Sequence, residues 1–327
     1  MTLIQTQAPL PEFQVDLPRP DITPWIVGNT GIAGFTTLDS DRPGPHVAVL
    51  CLTHGNEFAG AIVVDELLRA QFKPLRGRLS LGFVNLTAFA RFDPKHPTAS
   101  RFIDEDLNRV WDDAILKGPR RSIELDRARE IRPFIETADI LVDLHSMLWA
   151  SEPLILCGTS ARGKALAMAL ETPTLVIADK GHVNGRRLID YARFIDPRGS
   201  AAACLVEAGQ HWETRTVDTM RASVAGLLRH FGMTAGADAP LPPSPATVGA
   251  CSAPRFAQVT AAVTAVTSQF TFVQAYHGGD VIAARNTLIA MDGDIEIRTP
   301  YDNCLLVMPS LRPSRGHTAV RLARFET

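Results

Sequence analysis

Apolar residues in this chain follow two rhythms. The first is a set of short, nearly unbroken runs: "HVAVLCLTHG" (46–55), "GRLSLGFVNLTAF" (77–89), "DILVDLHSM" (139–147), "PLILCGTS" (153–160), "TLVIAD" (174–179) and "AAACLVEAG" (201–209). Runs of this length without polar alternation predict strands covered on both faces. The second rhythm has helical spacing. "EFAGAIVVDELLRAQF" (57–72) puts Ala61, Val64, Leu67 and Leu68 on one face, and "SIELDRAREIRPFIETA" (122–138) is a charged amphipathic stretch. "ARGKALAMALETP" (161–173) is closed by Pro173, and "TVDTMRASVAGLLRHFG" (216–232) ends on glycine. Strands alternating with helices imply βαβ units and a largely parallel sheet, whose sites form at the carboxyl ends of the strands. His54, His145 and Glu207 each stand at that end of a predicted strand.

Three segments depart from the alternation. Residues 1–24 are rich in proline and polar groups and read as an extended arm. "TAGADAPLPPSPATVGACSA" (234–253) is dense in Pro, Ala and Gly and reads as a linker. Beyond it, strand-like runs alternate with Gly-Gly, Asp-Gly and Pro turns. The expected architecture is therefore α/β, with a mostly parallel central sheet flanked by helices and a smaller C-terminal β-rich domain. The boundaries are 1–235 for the α/β domain with its arm, 236–252 for the linker and 253–327 for the β-rich domain.

Composition narrows the field. With 46% hydrophobic and 21% charged residues the 327-residue chain can bury a core. A formal charge of −2 gives no reason to expect nucleic acid or an anionic membrane surface as partner. No basic n-region precedes an apolar core, so no signal peptide is expected, and no stretch is long enough for a membrane span. Cys51, Cys157, Cys204, Cys251 and Cys304 show no CxxC spacing, and three lie in apolar runs; they read as reduced, buried thiols of a cytoplasmic protein.

The chemistry starts at "LTHGNEFAG" (52–60), where a histidine and a glutamate flank a tight turn after a strand. His54 and Glu57 can there point at one metal ion, with His145, after "LVDL", as a third ligand. Two histidines, a carboxylate and an open position for water form a known hydrolytic zinc set. Taken singly, each residue has a plainer reading. Glu57 is a first-turn carboxylate on a helix dipole, His145 a hydrogen-bonded core histidine, and Glu207 a buried glutamate paired with arginine. "RFIDEDLNRVW" (101–111) is likewise a charged loop whose arginines pair with Asp104, Glu105 and Asp106. Asp143, two residues before His145, either orients that histidine or is a strand aspartate facing backbone.

Taken together, "HGNE" (54–57), "RFIDEDLNRVW" (101–111), "DLHS" (143–146) and "VEAGQ" (206–210) occur in an order and spacing that resemble the succinylglutamate desuccinylase/aspartoacylase family. The resemblance covers roughly residues 45–232, with a weaker likeness after 280. It implies the zinc carboxypeptidase fold and one Zn2+ per chain, bound by His54, Glu57 and His145. It implies Glu207 as general base, Arg101 as oxyanion stabiliser, and Asn108 and Arg109 as a seat for a substrate carboxylate. Arg186, Arg187, Arg193, Arg198 and Tyr191 in the 179–198 stretch, and Tyr301 in the C-terminal region, are further candidates for the pocket; Arg198, Tyr191 and Tyr301 are carried forward as substrate-binding. His96, His182, His211 and His277 have no ligand spacing and read as surface or supporting groups. Trp111 stands where aspartoacylases typically carry phenylalanine, and either reshapes the pocket or packs beneath it.

The expected activity is zinc-dependent hydrolysis of the amide of an N-acyl amino acid or related carboxylated amine. Two rivals stay open: a zinc carboxypeptidase acting on a peptide, and a non-catalytic small-molecule binding protein that kept the fold. The expected partner is a small carboxylated substrate, with assembly into a homo-oligomer left open.

Overall fold

A computed structural model describes residues 13–182, 184–235, 241 and 253–326. Half of the expected arm, residues 1–12, and all of the 236–252 linker except residue 241, Cys251 included, lie outside the described residues. In chain order the elements are β1 (Phe35–Asp39), β2 (His46–Cys51), α1 (Ala59–Arg69), β3 (Arg78–Phe83), α2 (Leu86–Ala90), α3 (Asp113–Lys117), α4 (Ile123–Ile135), β4 (Ile140–Met147), β5 (Leu154–Leu156), α5 (Ala161–Ala169), β6 (Leu175–Ala178), α6 (Ala192–Ile195), β7 (Ala202–Gln210) and α7 (Thr214–His230). The C-terminal region adds β8 (Arg255–Thr264), β9 (Phe270–Phe272), β10 (Val281–Ile282), β11 (Leu288–Asp292), β12 (Ile295–Arg298), β13 (Cys304–Val307) and β14 (Thr318–Phe325).

The strands β3, β2, β4 and β7 lie side by side and parallel, as the continuous apolar runs imply. Successive residues face opposite ways, so each run feeds two cores. Val47, Val49, Val142, Leu144, Cys204 and Val206 pack under α1 and α7. Ala48, Leu50, Leu141, Ala203 and Leu205 pack under α4 and the Leu188–Phe194 segment. Gly60 lets α1 press onto the sheet: a Cβ there would stand 3.0 Å from the Cβ atoms of Cys51 and Leu144. The four described cysteines are free and buried. No helix among the described residues is long and apolar enough to cross a membrane.

One reading of the pattern needs correction. The 77–89 run is not one strand: it ends at Phe83, and Asn85 caps α2 by accepting the Ala88 N–H at 3.1 Å. An asparagine that can satisfy a helix's first donors outweighs the local strand propensity. The C-terminal region is β-rich and antiparallel, as expected, with its own core around Phe270, Ile289, Leu306 and Val320. β8 pairs parallel with β6, so the sheet continues through β7, β5, β6, β8, β14, β13 and β10. The C-terminal strands thereby become a fixed wall of the site.

Candidate metal centre and substrate cavity

His54 and Glu57 follow β2 on a turn closed by the Glu57 N–H to the His54 carbonyl at 3.2 Å. Leu52, fully buried, takes a left-handed conformation (φ 59) to swing the chain out of the sheet. Gly55 between the two ionisable residues is a space requirement. A Cβ there would fall 2.4 Å from Ala88 C and Phe89 N and 2.5 Å from Ser100 O. The turn thus lies against α2 and the loop leading to Arg101, and the Gly55 N–H donates to the Arg101 carbonyl at 3.1 Å. Because α1 begins only at Ala59, Glu57 precedes the helix and points to the site instead of serving in its first turn.

His145, on β4, stands directly beside Glu207 of β7 in the parallel register. His54 Nδ1 lies 2.8 Å from Glu57 Oε1, and His145 Nδ1 lies 3.0 Å from Glu57 Oε2. The outer ring nitrogens are both taken by carboxylates: His54 Nε2 by Asp106 at 2.9 Å, His145 Nε2 by Asp143 at 2.7 Å. Asp143 is itself held by the Thr53 hydroxyl at 3.0 Å. A carboxylate on the far side of a ligand histidine, as Asp143 is for His145, fixes the tautomer that leaves the near nitrogen's lone pair inward, whereas His54 Nε2 also has Arg101 Nη2 at 3.0 Å.

This donor set fits a divalent cation. One ligand atom from each of His54, Glu57 and His145 falls within a 4.8 Å cluster, and all three residues are buried. The His54 Nδ1 is buried and, despite its short approach to Glu57, has no hydrogen-bond partner. An imidazole lone pair facing a carboxylate oxygen repels it unless a positive charge stands between them. Burial opposes charge on His145, but Asp143 and Glu57 outweigh it and raise its pKa well above the usual histidine range. Burial likewise opposes ionised Glu57, but the two imidazoles hold its pKa well below the usual carboxyl range.

Glu207 behaves oppositely. It is 6% exposed, its Oε2 has no partner among the described residues, and burial followed by repulsion from Glu57 pushes its pKa up to about 8. Two glutamates in one site, driven apart in acidity, are suited to separate tasks, one as ligand and one as proton carrier.

The 101–109 loop faces the same cavity. Arg101 donates to Glu57 Oε1 at 2.7 Å and reaches Asp106 at 3.4 Å. Glu124, fully buried at the start of α4, holds this loop from behind, accepting the N–H groups of Ile103, Asp104 and Glu105 at 2.7, 3.0 and 3.2 Å. Three successive backbone N–H groups make an anion nest, and a side chain of the same protein fills it. Asn108 is fixed by the Leu188 N–H at 2.8 Å. Burial lowers the Arg109 pKa to about 10, against the pull of Asp106.

A cavity of about 410 Å³ joins these groups, and its lining includes His54, Glu57, Arg101, Asn108, Arg109, His145 and Glu207. Three expected lining residues are elsewhere. Tyr191 is buried beneath, edge-on to Trp111 at 5.7 Å and donating to Glu136 at 2.6 Å, because its apolar ring completes the core under the sheet. Arg198 is 91% exposed beside Asp196. Tyr301 packs with Arg324 and hydrogen-bonds Thr260 on the C-terminal sheet. Trp111 is also wholly buried, so its bulk packs beneath the cavity. Of the 179–198 candidates Arg187 does line the cavity, which also uses His182 and His211, read from the sequence as surface or supporting groups, and Trp149 and, from β14, Arg321, which had no expected role. His211 is held by Ser146 at 2.8 Å, and burial lowers its pKa to about 4. Only the arginine-rich composition of 179–198 signalled Arg187, and nothing in the sequence signalled Arg321.

An α/β sheet carrying a His-Glu-His cluster and an unpaired buried glutamate at one edge defines a hydrolase-type site. Residues 43–231 match the catalytic domain of the succinylglutamate desuccinylase/aspartoacylase family, and the chain belongs to that family. Its fold is that of solved relatives. The succinylglutamate desuccinylase of Vibrio parahaemolyticus is 18% identical, with 90% of this chain and 87% of that chain covered at a TM-score of 0.67. A succinylglutamate desuccinylase/aspartoacylase from Rhodobacter sphaeroides is 19% identical over 90% and 89% of the two chains, at 0.66. The product-bound ectoine utilization protein EutE (DoeB) of Ruegeria pomeroyi is 17% identical over 88% of each, at 0.60. No curated protein sequence matches this one.

Proposed function

We propose that this protein is a zinc-dependent amidohydrolase that cleaves the linear amide of an N-acyl amino acid or a related carboxylated amine. The observation that carries this reading is the convergence of His54, Glu57 and His145 beside the unpaired carboxyl of Glu207, inside an arginine-lined cavity. His54 and His145 would hold the metal through Nδ1, with Glu57 as the carboxylate ligand. Zinc in such a site supplies an acidified water and a polarised carbonyl.

The protein's own groups supply the rest. Glu207 Oε2 takes the proton of the attacking water and delivers it to the leaving amine nitrogen. Arg101, anchored by Glu57 and Asp106, offers its guanidinium to the carbonyl oxygen as negative charge develops there. Asn108 and Arg109 orient a substrate carboxylate, and the stiff loop behind Glu124 keeps that grip in register with the reacting carbonyl.

The size of the cavity, about 410 Å³, and its cover from the C-terminal strands favour a small substrate over a peptide. A buried glutamate without a partner favours catalysis over binding alone, because a mere binding protein gains nothing from it. The test is a metal assay of the purified protein, with turnover of N-acetyl, N-succinyl and N-formyl amino acids set against short peptides. One zinc per chain and chelator-sensitive turnover of the small amides are expected; peptide turnover exceeding theirs would favour the carboxypeptidase instead.

A further inference from the structure

The cavity lining includes an arginine that this chemistry leaves unused and that its neighbours leave barely paired. Arg321, on β14, is 11% exposed and lines the cavity with Arg109, His182 and Arg187. Its nearest counter-charge is Asp179, with Oδ2 3.5 Å from Arg321 Nε. That carboxylate already belongs to Arg187, which donates to both of its oxygens at 2.6 and 3.1 Å and also pairs with Asp190 at 2.7 Å. Beyond that 3.5 Å approach the Arg321 side chain makes no hydrogen bond among the described residues, and its guanidinium lines the cavity.

Its surroundings carry the same sign. Arg109 also lacks a close carboxylate, Asp106 being 3.8 Å from its Nη2. Burial, then the charges of Arg109 and Arg321, push the His182 pKa down to about 3, and burial lowers that of Arg321 itself. Buried guanidinium groups without matched acceptors are costly, and a protein keeps them where a ligand supplies the missing anion. The planar fork matches a carboxylate with two parallel bonds.

We propose that Arg321 is a specificity-determining residue, seating a carboxylate of the substrate together with Arg109 and His182. The C-terminal sheet then recognises the acid group while the parallel strands supply the chemistry. This deepens the amidohydrolase reading, on which it rests for the identity of the anion as part of a substrate.

The test compares wild type, Arg321→Met and Arg321→Lys in the full zinc-loaded chain. Each is assayed with the best N-acyl amino acid of the panel above and with its carboxamide counterpart. For the acid, Arg321→Met is expected to raise KM about 30-fold with kcat nearly unchanged, as for loss of a buried charge partner. The carboxamide should be handled alike by both proteins, and lysine should restore part of the loss. Unchanged discrimination between acid and carboxamide in Arg321→Met would overturn the proposal. If no amide is turned over, calorimetric titration with acetate and succinate still decides. Weaker carboxylate binding by the methionine variant supports the seat, and equal binding overturns it. Thermal stability separates a structural role: without ligand, Arg321→Met should melt no lower than wild type. A lower melting temperature with unaltered carboxylate binding would reduce Arg321 to an ion-pair partner of Asp179.

Discussion

The two walls of the cavity are built differently. On the parallel strands almost every charged group is matched: Glu57 by two imidazoles and Arg101, His145 by Asp143, His54 by Asp106. Glu207 is the exception. On the C-terminal wall Arg321 is barely matched at all, beside an Asp179 committed to Arg187. A wall whose charges are mutually satisfied is preorganised and changes little when a ligand arrives. A wall with open donors is completed by the ligand. The contrast separates the apparatus for bond breaking from the apparatus for choosing what is broken.

Substitution of the exception should break the first wall most severely. Glu207→Gln is expected to lower kcat about 10²–10⁴-fold, the usual worth of a positioned acid–base group, while zinc content stays at wild-type level. Full activity in that variant would leave the carboxyl without its role. Loss of a matched outer partner should cost less. Asp143→Asn removes the acceptor behind His145 and should weaken zinc binding about 10–100-fold in competition with a chromogenic chelator. Unaltered affinity would mean that packing alone orients the imidazole.

Protons sharpen the comparison further. At pH 7 the metal-free site holds a proton on His145, whose pKa is raised, and one on Glu207, titrating near 8. A cation needs the imidazole lone pair and favours the ionised carboxylate, so both protons leave on binding. Calorimetry in buffers of different ionisation enthalpy should show wild type releasing about one proton more than Glu207→Gln. The sign for folding follows from the same shift. Glu207 binds its proton more tightly folded than unfolded, so its contribution to the metal-free fold is complete below the ordinary carboxyl range. That contribution is lost as pH climbs through about 8. Melting temperature against pH should therefore decline less over this interval in Glu207→Gln.

The smallest effect should come from beneath the cavity. Trp111→Phe removes volume but also a buried indole N–H without a partner. The net cost should stay within about 1.5 kcal/mol by denaturant titration, with KM unmoved. A large KM change would return that ring to the pocket.

What could be read in advance divides along the same line. Strands β2, β4 and β7 announce themselves as apolar runs, and the residues at their ends converge because parallel register brings those ends together. The 101–109 loop was legible as a motif, although nothing in the sequence singled out Glu124 as the carboxylate that shapes it. Arg321 was illegible because an arginine in "TAVRLARF" reads as a solvent-facing strand position. Only pairing of β14 with its neighbour β13 and with the sequence-distant β8 turns that position toward the cavity. Tyr191, Arg198 and Tyr301 were misplaced for a related reason: composition suggested a basic, aromatic pocket, but burial and turn geometry decide which of those side chains reaches it. The continuous sheet was hidden too, since a linker rich in proline and alanine hides that the next strand returns to pair with β6.

The adjacency of His145 and Glu207 across one gap between parallel strands has a longer reach. Their separation is inherited from the backbone ladder, whose strand spacing is set by peptide geometry at about 4.8 Å. Mutations in the surrounding loops can therefore drift, exchanging one acyl group or amine for another, without retuning the reactive couple. The scaffold keeps its reaction constant while its diet is free to change.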